Sequence, residues 1–309
     1  PAIAGQAARL HQMRYISALA TTGTGTIMQT TRIGDFEVHR ISEFEGPFIA
    51  PETFFPAYDA AILRANPDMQ GPTLVDPASG KLIFSFHSFV VKTGRHNILI
   101  DACIGNHKER PTRPQFHRLQ SPFLADLART GVTPEQIDFV MCTHLHWDHV
   151  GWNTRLDNGR WVPTFPNARY LMARREFEHW QGMHAKGEES PHVRAFDDSV
   201  LPVVKSGQSV LVDDGYAFED GFFFEHAPGH TPGNVVIEAR SRDDRVCDAR
   251  GSMAYSAVTH PRPVPTRKGG TFSSMLALHS TRVRPLEMST LPSACTVHPR
   301  EMVMERRPS

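Results

Sequence analysis

Short apolar runs separated by Gly-, Pro- and Asp-containing turns recur along the chain and predict a series of β-strands. Residues 34–41 alternate apolar and polar side chains, a pattern typical of a strand with one buried face. The other apolar runs predict strands at 81–91, 96–101, 137–142, 168–172, 209–212, 222–226 and 234–239.

Helices are predicted between these strands. Ser121-Pro122 starts a helix over 121–130 and Gly131 ends it. Further helical segments are predicted at 133–136, 174–182 and 191–201. Because strands and helices alternate, we expect an α/β fold with a layered sheet core. Residues 44–80 are rich in Pro, Phe and Asp without periodicity and are predicted to form a long irregular loop.

Composition narrows the classes of function. The chain has 309 residues, and its 40% hydrophobic content is enough for a full core. It contains no run of 18 apolar residues, so we expect no membrane partner. Lys and Arg together number 33, as do Asp and Glu, so we expect no nucleic-acid partner. The cysteines lack C-x-x-C spacing, which favours a reducing, cytoplasmic location; they are Cys103, Cys142, Cys247 and Cys295.

The two ends of the chain differ from its middle. Residues 1–27 are rich in Ala, Thr and Gly and are predicted to be a loose extension before a domain over 28–245. Residues 249–309 contain nine basic and three acidic residues, seven Pro and no Ile. This change in composition defines an atypical tail over 246–309.

Seventeen histidines direct attention to metal chemistry, and four side chains of metal-ligand type cluster directly after the strand 137–142. This cluster consists of His144, His146, Asp148 and His149. A second Gly/Pro-rich turn, over 227–233, presents His230. Neutral imidazole and carboxylate are ligands for zinc, iron or manganese. Structural or surface roles are expected for His39, His87, His96, His107, His117, His179, His184 and His192.

The two motifs, His144-Leu-His-Trp-Asp-His149 and Pro228-Gly-His-Thr-Pro-Gly233, resemble the metallo-β-lactamase fold on its hydrolase side. The resemblance covers about residues 30–245. It implies an αββα sandwich with a metal site at one edge between two sheets.

The same resemblance implies the ligand set. It assigns His144, His146 and His230 to a first metal site, and Asp148 and His149 to a second. It also gives Asp101 the role of orienting a ligand imidazole.

The chemistry that follows is hydrolysis of a small-molecule substrate by a metal-activated hydroxide. Two zinc ions are expected, with iron or manganese as alternatives, and Asp148 is the predicted catalytic residue, which accepts or relays a proton. Lactones or other carboxylic esters are the favoured substrates, followed by phosphotriesters. For Trp147, Trp152 and Phe116, core packing is favoured over a place in a substrate cleft.

The chain departs from the family pattern after residue 245. The resemblance expects a bridging Asp where Gly251-Ser252 stands, and Asp248 lacks a preceding apolar strand that would aim it. The final ligand His is also open, with His260, His279 and His298 as candidates.

One hypothesis accounts for the missing ligands and the unusual tail together. Codons that can encode Gly251–Ala257 give Asp-Arg-Trp-His-Thr-Pro-Leu when they are translated one base later. Residues from about 246 onward are then an out-of-frame product, and the last strands of the fold are degraded. The alternative is a divergent C-terminus in which Ser252 is a true replacement.

Three functions stay open at this point. The first is the hydrolase, and the second is a catalytically impaired protein that binds one metal ion or none. The third is an iron-dependent oxygenase of the same fold with a thiol substrate. Metal content separates the first two, and the sequence leaves a homodimer open.

Overall fold

A computed structural model of the protein describes six ranges of the chain. These ranges are residues 13–15, 30–55, 58–61, 74–218, 221–242 and 244–248. In this part of the chain, no helix is both long enough and apolar enough to cross a bilayer.

Two β-sheets and a separate hairpin contain the described strands. The larger sheet has the spatial order β10 (Ser209–Val212), β9 (Arg169–Ala173), β6 (Phe139–Met141), β5 (Asn97–Ile100), β4 (Leu82–Lys92), β3 (Phe36–Ile49) and β2 (Thr30–Ile33). The smaller sheet has the order β1 (Met13–Tyr15), β14 (Asp244–Asp248), β13 (Val235–Ser241), β12 (Phe222–His226) and β11 (Ala217–Phe218). The hairpin pairs β7 (Thr154–Asp157) with β8 (Arg160–Pro163).

The described α-helices are short apart from one of twelve residues. They are α1 (Pro51–Phe54), α2 (Phe123–Arg129), α3 (Arg174–Ala185), α4 (Pro191–Ala195) and α5 (Leu201–Lys205). A π-helical turn, Phe196–Val200, joins α4 to α5. The predicted helix over 191–201 is therefore a composite of three segments. Single 3₁₀ turns occur at Pro114–Phe116, Pro134–Gln136 and Gly151–Asn153.

Side chains of the central strand β5 alternate between two cores. Ile98 and Ile100 pack between the two sheets, whereas Leu99 packs in the core beneath the helices. Successive residues of a strand face opposite sides, so a strand covered on both faces has a continuous apolar sequence. All three residues are fully buried.

Helices α2 to α5 cover the outer face of the larger sheet, where each of them contributes to the core through Phe123, Trp180, Val193 and Val203 respectively. The smaller sheet covers the other face through residues of β12 and β13, such as Phe224 and Ile237. The predicted α/β class is confirmed, and these helices with the two sheets form three layers of the predicted αββα sandwich.

The prediction of an irregular loop over 44–80 is wrong for the first residues of this range. Strand β3 continues to Ile49, and α1 follows it. The register of β3 against β4 shifts between Ser42 and Phe44 and again between Pro47 and Ile49. Such bulges break the alternation of apolar and polar residues, so periodicity alone did not identify the strand.

Two strands lie at the predicted domain ends. Strand β1 falls within 1–27, and β14 crosses the boundary at 245. Asp248 was expected to lack a preceding strand, but it is the last residue of β14. This strand forms without an apolar sequence because its main chain pairs with that of β13. The predictions for the rest of the tail, with Ser252, His260, His279 and His298, lie outside the described residues.

Candidate metal centre

The loop with the predicted ligands leaves the C-terminal end of β6, which pairs in parallel with β5 and β9. Ligand sites collect at this edge of an α/β sheet. Asp101, directly after β5, accepts hydrogen bonds from Thr143 N and Thr143 Oγ1, both at 2.8 Å. Val235 N of β13 donates to Thr143 O at 2.9 Å. The start of the loop is therefore tied to both sheets.

Three of the predicted ligands lie around one point. Their ring centroids are 4.7 Å apart for His144 and His146, 4.7 Å for His144 and His230, and 4.6 Å for His146 and His230. One nitrogen from each ring lies within 4.8 Å of the others. The structure thus brings the histidines of the two separate motifs into a single cluster of metal-ligand type.

The donor atoms of this cluster fit a metal ion. His144 Nε2 is buried and has no hydrogen-bond partner, while His144 Nδ1 lies 3.1 Å from Thr143 Oγ1. A buried polar atom without a partner costs about 1–3 kcal/mol, and a metal ion would supply the partner. Burial and the neighbouring imidazoles hold the pKa values of His144 and His146 well below the usual range. Burial also lowers the pKa of His230 to about 4, so all three rings are neutral, as metal ligation requires.

Asp148 and His149 form an adjacent pair. His149 Nε2 lies 3.5 Å from Asp148 Oδ2, and the His149 ring centroid lies 4.0 Å from that of His144. Two ligands that share one zinc ion are about 3.4 Å apart in tetrahedral geometry. His149 Nδ1 lies 2.7 Å from Asp101 Oδ2, so Asp101 orients this ring.

The charges of this pair are coupled. Burial lowers the pKa of His149, but the carboxylates of Asp101 and Asp148 outweigh burial and raise this pKa to about 9. Burial raises the pKa of Asp148, but the charge and hydrogen bond of His149 outweigh it and hold this pKa below its usual range.

His192 lies beside this cluster, although its sequence context predicted only a structural or surface role. The ring centroid of His192 lies 3.7 Å from that of His146, and its buried Nδ1 has no hydrogen-bond partner. Burial lowers the pKa of His192 to about 4. The sequence near His192 contains one structural signal, Ser190-Pro191, which predicts the start of a helix. In the structure these residues begin α4, and Val193 N donates a capping hydrogen bond to Ser190 Oγ. That signal predicts a helix start and not a position beside a cluster 46 residues away in the chain. Glu176 and Trp180 of α3 were missed for the same reason.

An aromatic cluster packs around Trp147, the residue that precedes Asp148. The Trp147 ring packs against Phe86 at 5.6 Å and Phe116 at 5.4 Å. The Trp152 ring stacks on Phe123, and Trp152 Nε1 donates to Glu43 Oε1 at 2.7 Å. Trp147, Trp152 and Phe116 are all buried, which confirms the core packing that was favoured for them.

A family model described as the metallo-beta-lactamase superfamily matches residues 86–246, more than half of the chain. The chain belongs to the metallo-beta-lactamase superfamily. The match contains both histidine motifs, and it begins within β4, after β2 and β3 of the larger sheet.

Curated and solved proteins are similar to this chain. An N-acyl homoserine lactonase from Bacillus sp is 28% identical over 156 residues, which cover 50% of this chain and 53% of that protein. The chain therefore matches about half the length of this curated relative.

Three solved structures share the fold. A probable metal-dependent hydrolase from Staphylococcus aureus is 20% identical with a TM-score of 0.57, covering 71% of this chain and 74% of that one. The hydrolase AbOPH is 21% identical with a TM-score of 0.58, covering 74% of each chain. AidC, a dizinc quorum-quenching lactonase in complex with a product, is 20% identical with a TM-score of 0.55, covering 71% of this chain and 72% of that one.

Proposed function

We propose that the protein is a metal-dependent hydrolase that acts on a lactone or another carboxylic ester. The observation that carries this proposal is the convergence of His144, His146 and His230 from two loops, with Asp148 and His149 beside them. Similarity to an N-acyl homoserine lactonase supports a lactone as the substrate class.

The described residues divide into two groups of ligands in this proposal. His144, His146 and His230 would hold one ion, and Asp148 and His149 would contribute to a second. Binding of the second ion would displace the proton that the raised pKa keeps on His149. Zinc suits this set of imidazole and carboxylate ligands, with iron and manganese as alternatives. When bound, the metal supplies a Lewis acid and lowers the pKa of water.

The protein's own groups orient the site and move the proton. Asp101 holds the His149 ring through Nδ1, which leaves Nε2 directed toward Asp148. Asp148 accepts and relays the proton lost by water as it attacks the ester carbonyl. The partly buried rings of Phe44, Phe48 and Phe84 would offer an apolar surface to the substrate, since all three contact Phe86, which packs on Trp147.

Metal content and a substrate panel, measured on the same purified full-length protein, test this function. Acyl-homoserine lactones, aryl esters and paraoxon are offered side by side, with and without a chelator. We expect turnover of a lactone or aryl ester that the chelator abolishes and added zinc restores. Preferential turnover of paraoxon would shift the substrate class to phosphotriesters, and a metal-loaded protein without activity on any of the three would refute the proposal.

A second candidate is a protein that binds metal but hydrolyses poorly. It is favoured by Ser252, which stands where the resemblance expects a bridging Asp, because a neutral hydroxyl holds two cations less well than a carboxylate. About two metal ions per chain supports the hydrolase, and about one supports this candidate.

A further inference from the structure

One buried carboxylate contacts both histidine loops. Glu176 lies in the first turn of α3 and is 1% exposed. Its Oε1 accepts hydrogen bonds from Leu145 N at 3.0 Å and Trp180 Nε1 at 2.7 Å. Its Oε2 accepts from Thr231 Oγ1 at 2.6 Å and Gly233 N at 3.0 Å. Four donors therefore converge on one side chain.

Three of the four donors to Glu176 lie on the two loops that contain the clustered histidines. Leu145 is the residue between His144 and His146, on the loop that leaves the larger sheet. Thr231 directly follows His230, on the turn between two strands of the smaller sheet. The two oxygens of Glu176 thus connect the halves of the cluster across the two sheets.

Two further contacts make this connection rigid. A Cβ on Gly233 would lie 2.1 Å from Glu176 N, so the second loop packs directly on the start of α3. Trp180, bound by Glu176, lies 5.4 Å from the ring of His146 and 5.5 Å from that of His192. The carboxylate therefore also fixes the aromatic ring that supports His146.

We propose that Glu176 is a positioning residue that sets the spacing between the two histidine loops and thereby the metal affinity of His144, His146 and His230. This inference rests on the metal site of the proposed function. Glu176 itself is not a ligand, because its oxygens already accept four hydrogen bonds.

The variant Glu176→Gln tests the inference with almost no change in shape. An amide group replaces one oxygen with a donor, which then faces the donors of one of the two loops. Glu176→Asp keeps both acceptors on a side chain shorter by one methylene and is expected to fall between Gln and the wild type. Glu178→Gln is the matched control, since Glu178 is exposed on the same helix.

The first measurement is zinc affinity, obtained by competition with a chromophoric chelator, together with the visible spectrum of the cobalt-substituted protein. Partners that orient metal ligands typically change affinity 10–100-fold. We expect Glu176→Gln to weaken zinc binding at least about 10-fold, to change the cobalt spectrum, and the control to match the wild type. Unchanged affinity and spectrum in folded Glu176→Gln protein would overturn the inference.

The second measurement needs no metal. Amide hydrogen exchange at Leu145 and Gly233, compared between the metal-free wild type and the variants, reports directly on the bonds to Glu176. We expect faster exchange in Glu176→Gln at the one amide, Leu145 N or Gly233 N, that loses its acceptor to the new NH2 group, and no change in Glu178→Gln. If the wild type binds none of zinc, iron and manganese, the proposed function fails, and amide exchange alone decides whether Glu176 holds the two loops. If Glu176→Gln does not fold, Glu176→Asp provides both measurements.

Discussion

Three carboxylates lie on the two histidine loops or contact them, and they differ in how much of each side chain remains accessible. The side chain of Asp101 is 0% exposed, and Glu176 is 1% exposed with four bound donors. The side chain of Asp148 is 16% exposed. Its distance to His149, 3.5 Å, is longer than the 2.7 Å between Asp101 and His149. Asp148 is therefore the carboxylate best placed to meet a substrate or water, whereas the other two hold the scaffold.

The first prediction concerns Asp148. Asp148→Asn keeps the size of the side chain but removes its ability to accept a proton as an anion. We expect kcat to fall at least about 10²-fold, the usual scale for a positioned acid–base group, while metal bound by the three histidines remains. Steady-state kinetics with metal analysis checks this result. Asp157→Asn, at an exposed position of the β7–β8 hairpin, is the control, and undiminished turnover in Asp148→Asn would refute the assigned role.

A buried lysine gives a prediction of pH dependence. Lys108 is fully buried, donates to Thr154 Oγ1 at 2.6 Å and lies over the Trp161 ring. Burial lowers the pKa of Lys108 to about 7, although the charge of Asp198 opposes this shift. Below pH 7 the native and unfolded states both carry the ammonium charge, and the cost of burying it is fully present. Between pH 7 and the unfolded value near 10.5, only the unfolded state keeps the proton, so the contribution of Lys108 to stability rises with pH.

Urea unfolding of the wild type and Lys108→Met between pH 6 and pH 10 checks this behaviour. The variant lacks the titrating group, so the stability of the wild type relative to Lys108→Met should rise above pH 7. The slope is at most about 1.4 kcal/mol per pH unit. A constant difference across this range would show that Lys108 keeps its proton in the folded protein.

At the scale of elements, the metal loop rests on the segment that follows β5. Ala102 N donates to His149 O, Gly151 N to Cys103 O and Trp152 N to Ala102 O, each at 2.7 Å. A Cβ on Gly151 would lie 1.8 Å from Ile104 O. Main chain therefore packs directly on main chain behind the ligands, and the loop has no room to shift.

This close approach predicts opposite effects for two Gly→Ala substitutions. Gly151→Ala forces the two segments apart and should destabilise the fold by at least about 2 kcal/mol. Gly182→Ala, in α3 with nothing within 4 Å of its added Cβ, should stabilise the fold by about 0.5–1 kcal/mol. Denaturant unfolding of both variants measures the two signs, and a neutral Gly151→Ala would contradict the packing.

Local sequence patterns predicted some elements of the fold and not others. Local signals predicted β6 and the loop after it, because a short apolar run followed directly by clustered histidines is visible within 15 residues. Local patterns did not predict the end of β3, because register shifts interrupt the alternation of apolar and polar residues there. They also failed for His192 and Glu176, whose positions depend on how α3 and α4 pack on the sheet. This packing depends on the whole fold, so the sequence around His192 and Glu176 does not indicate it.

At the scale of the whole molecule, the predicted layers and the family are confirmed, while the tail stays a prediction. The out-of-frame hypothesis for residues from about 246 onward starts inside β14, whose main chain pairs with β13. Sequencing the gene across this point tests the hypothesis, because an intact superfamily-like C-terminus must then exist in an alternative frame. The cytoplasmic location and a homodimer are likewise untested predictions.

The last prediction links the metal to the stability of the sandwich. His144 and His146 follow a strand of the larger sheet, while His230 lies between two strands of the smaller one, so a shared ion would cross-link the layers. A ligand that binds only the folded state at 100 times its Kd stabilises it by about 2.7 kcal/mol. With an unfolding entropy of about 2.1 cal/mol/K per residue, this raises Tm by about 4 °C in a chain of 309 residues. We therefore expect zinc to raise the Tm of chelator-treated protein by this amount.

Controls for this measurement separate the proposed site from other zinc sites. Magnesium prefers oxygen ligands and should leave Tm unchanged. His230→Gln should abolish most of the rise because it removes the ligand from the smaller sheet, whereas His184→Gln, near the end of α3, should retain the rise. An equal rise in His230→Gln would show that zinc stabilises the protein from another position, and the two sheets would then not be joined by a shared ion.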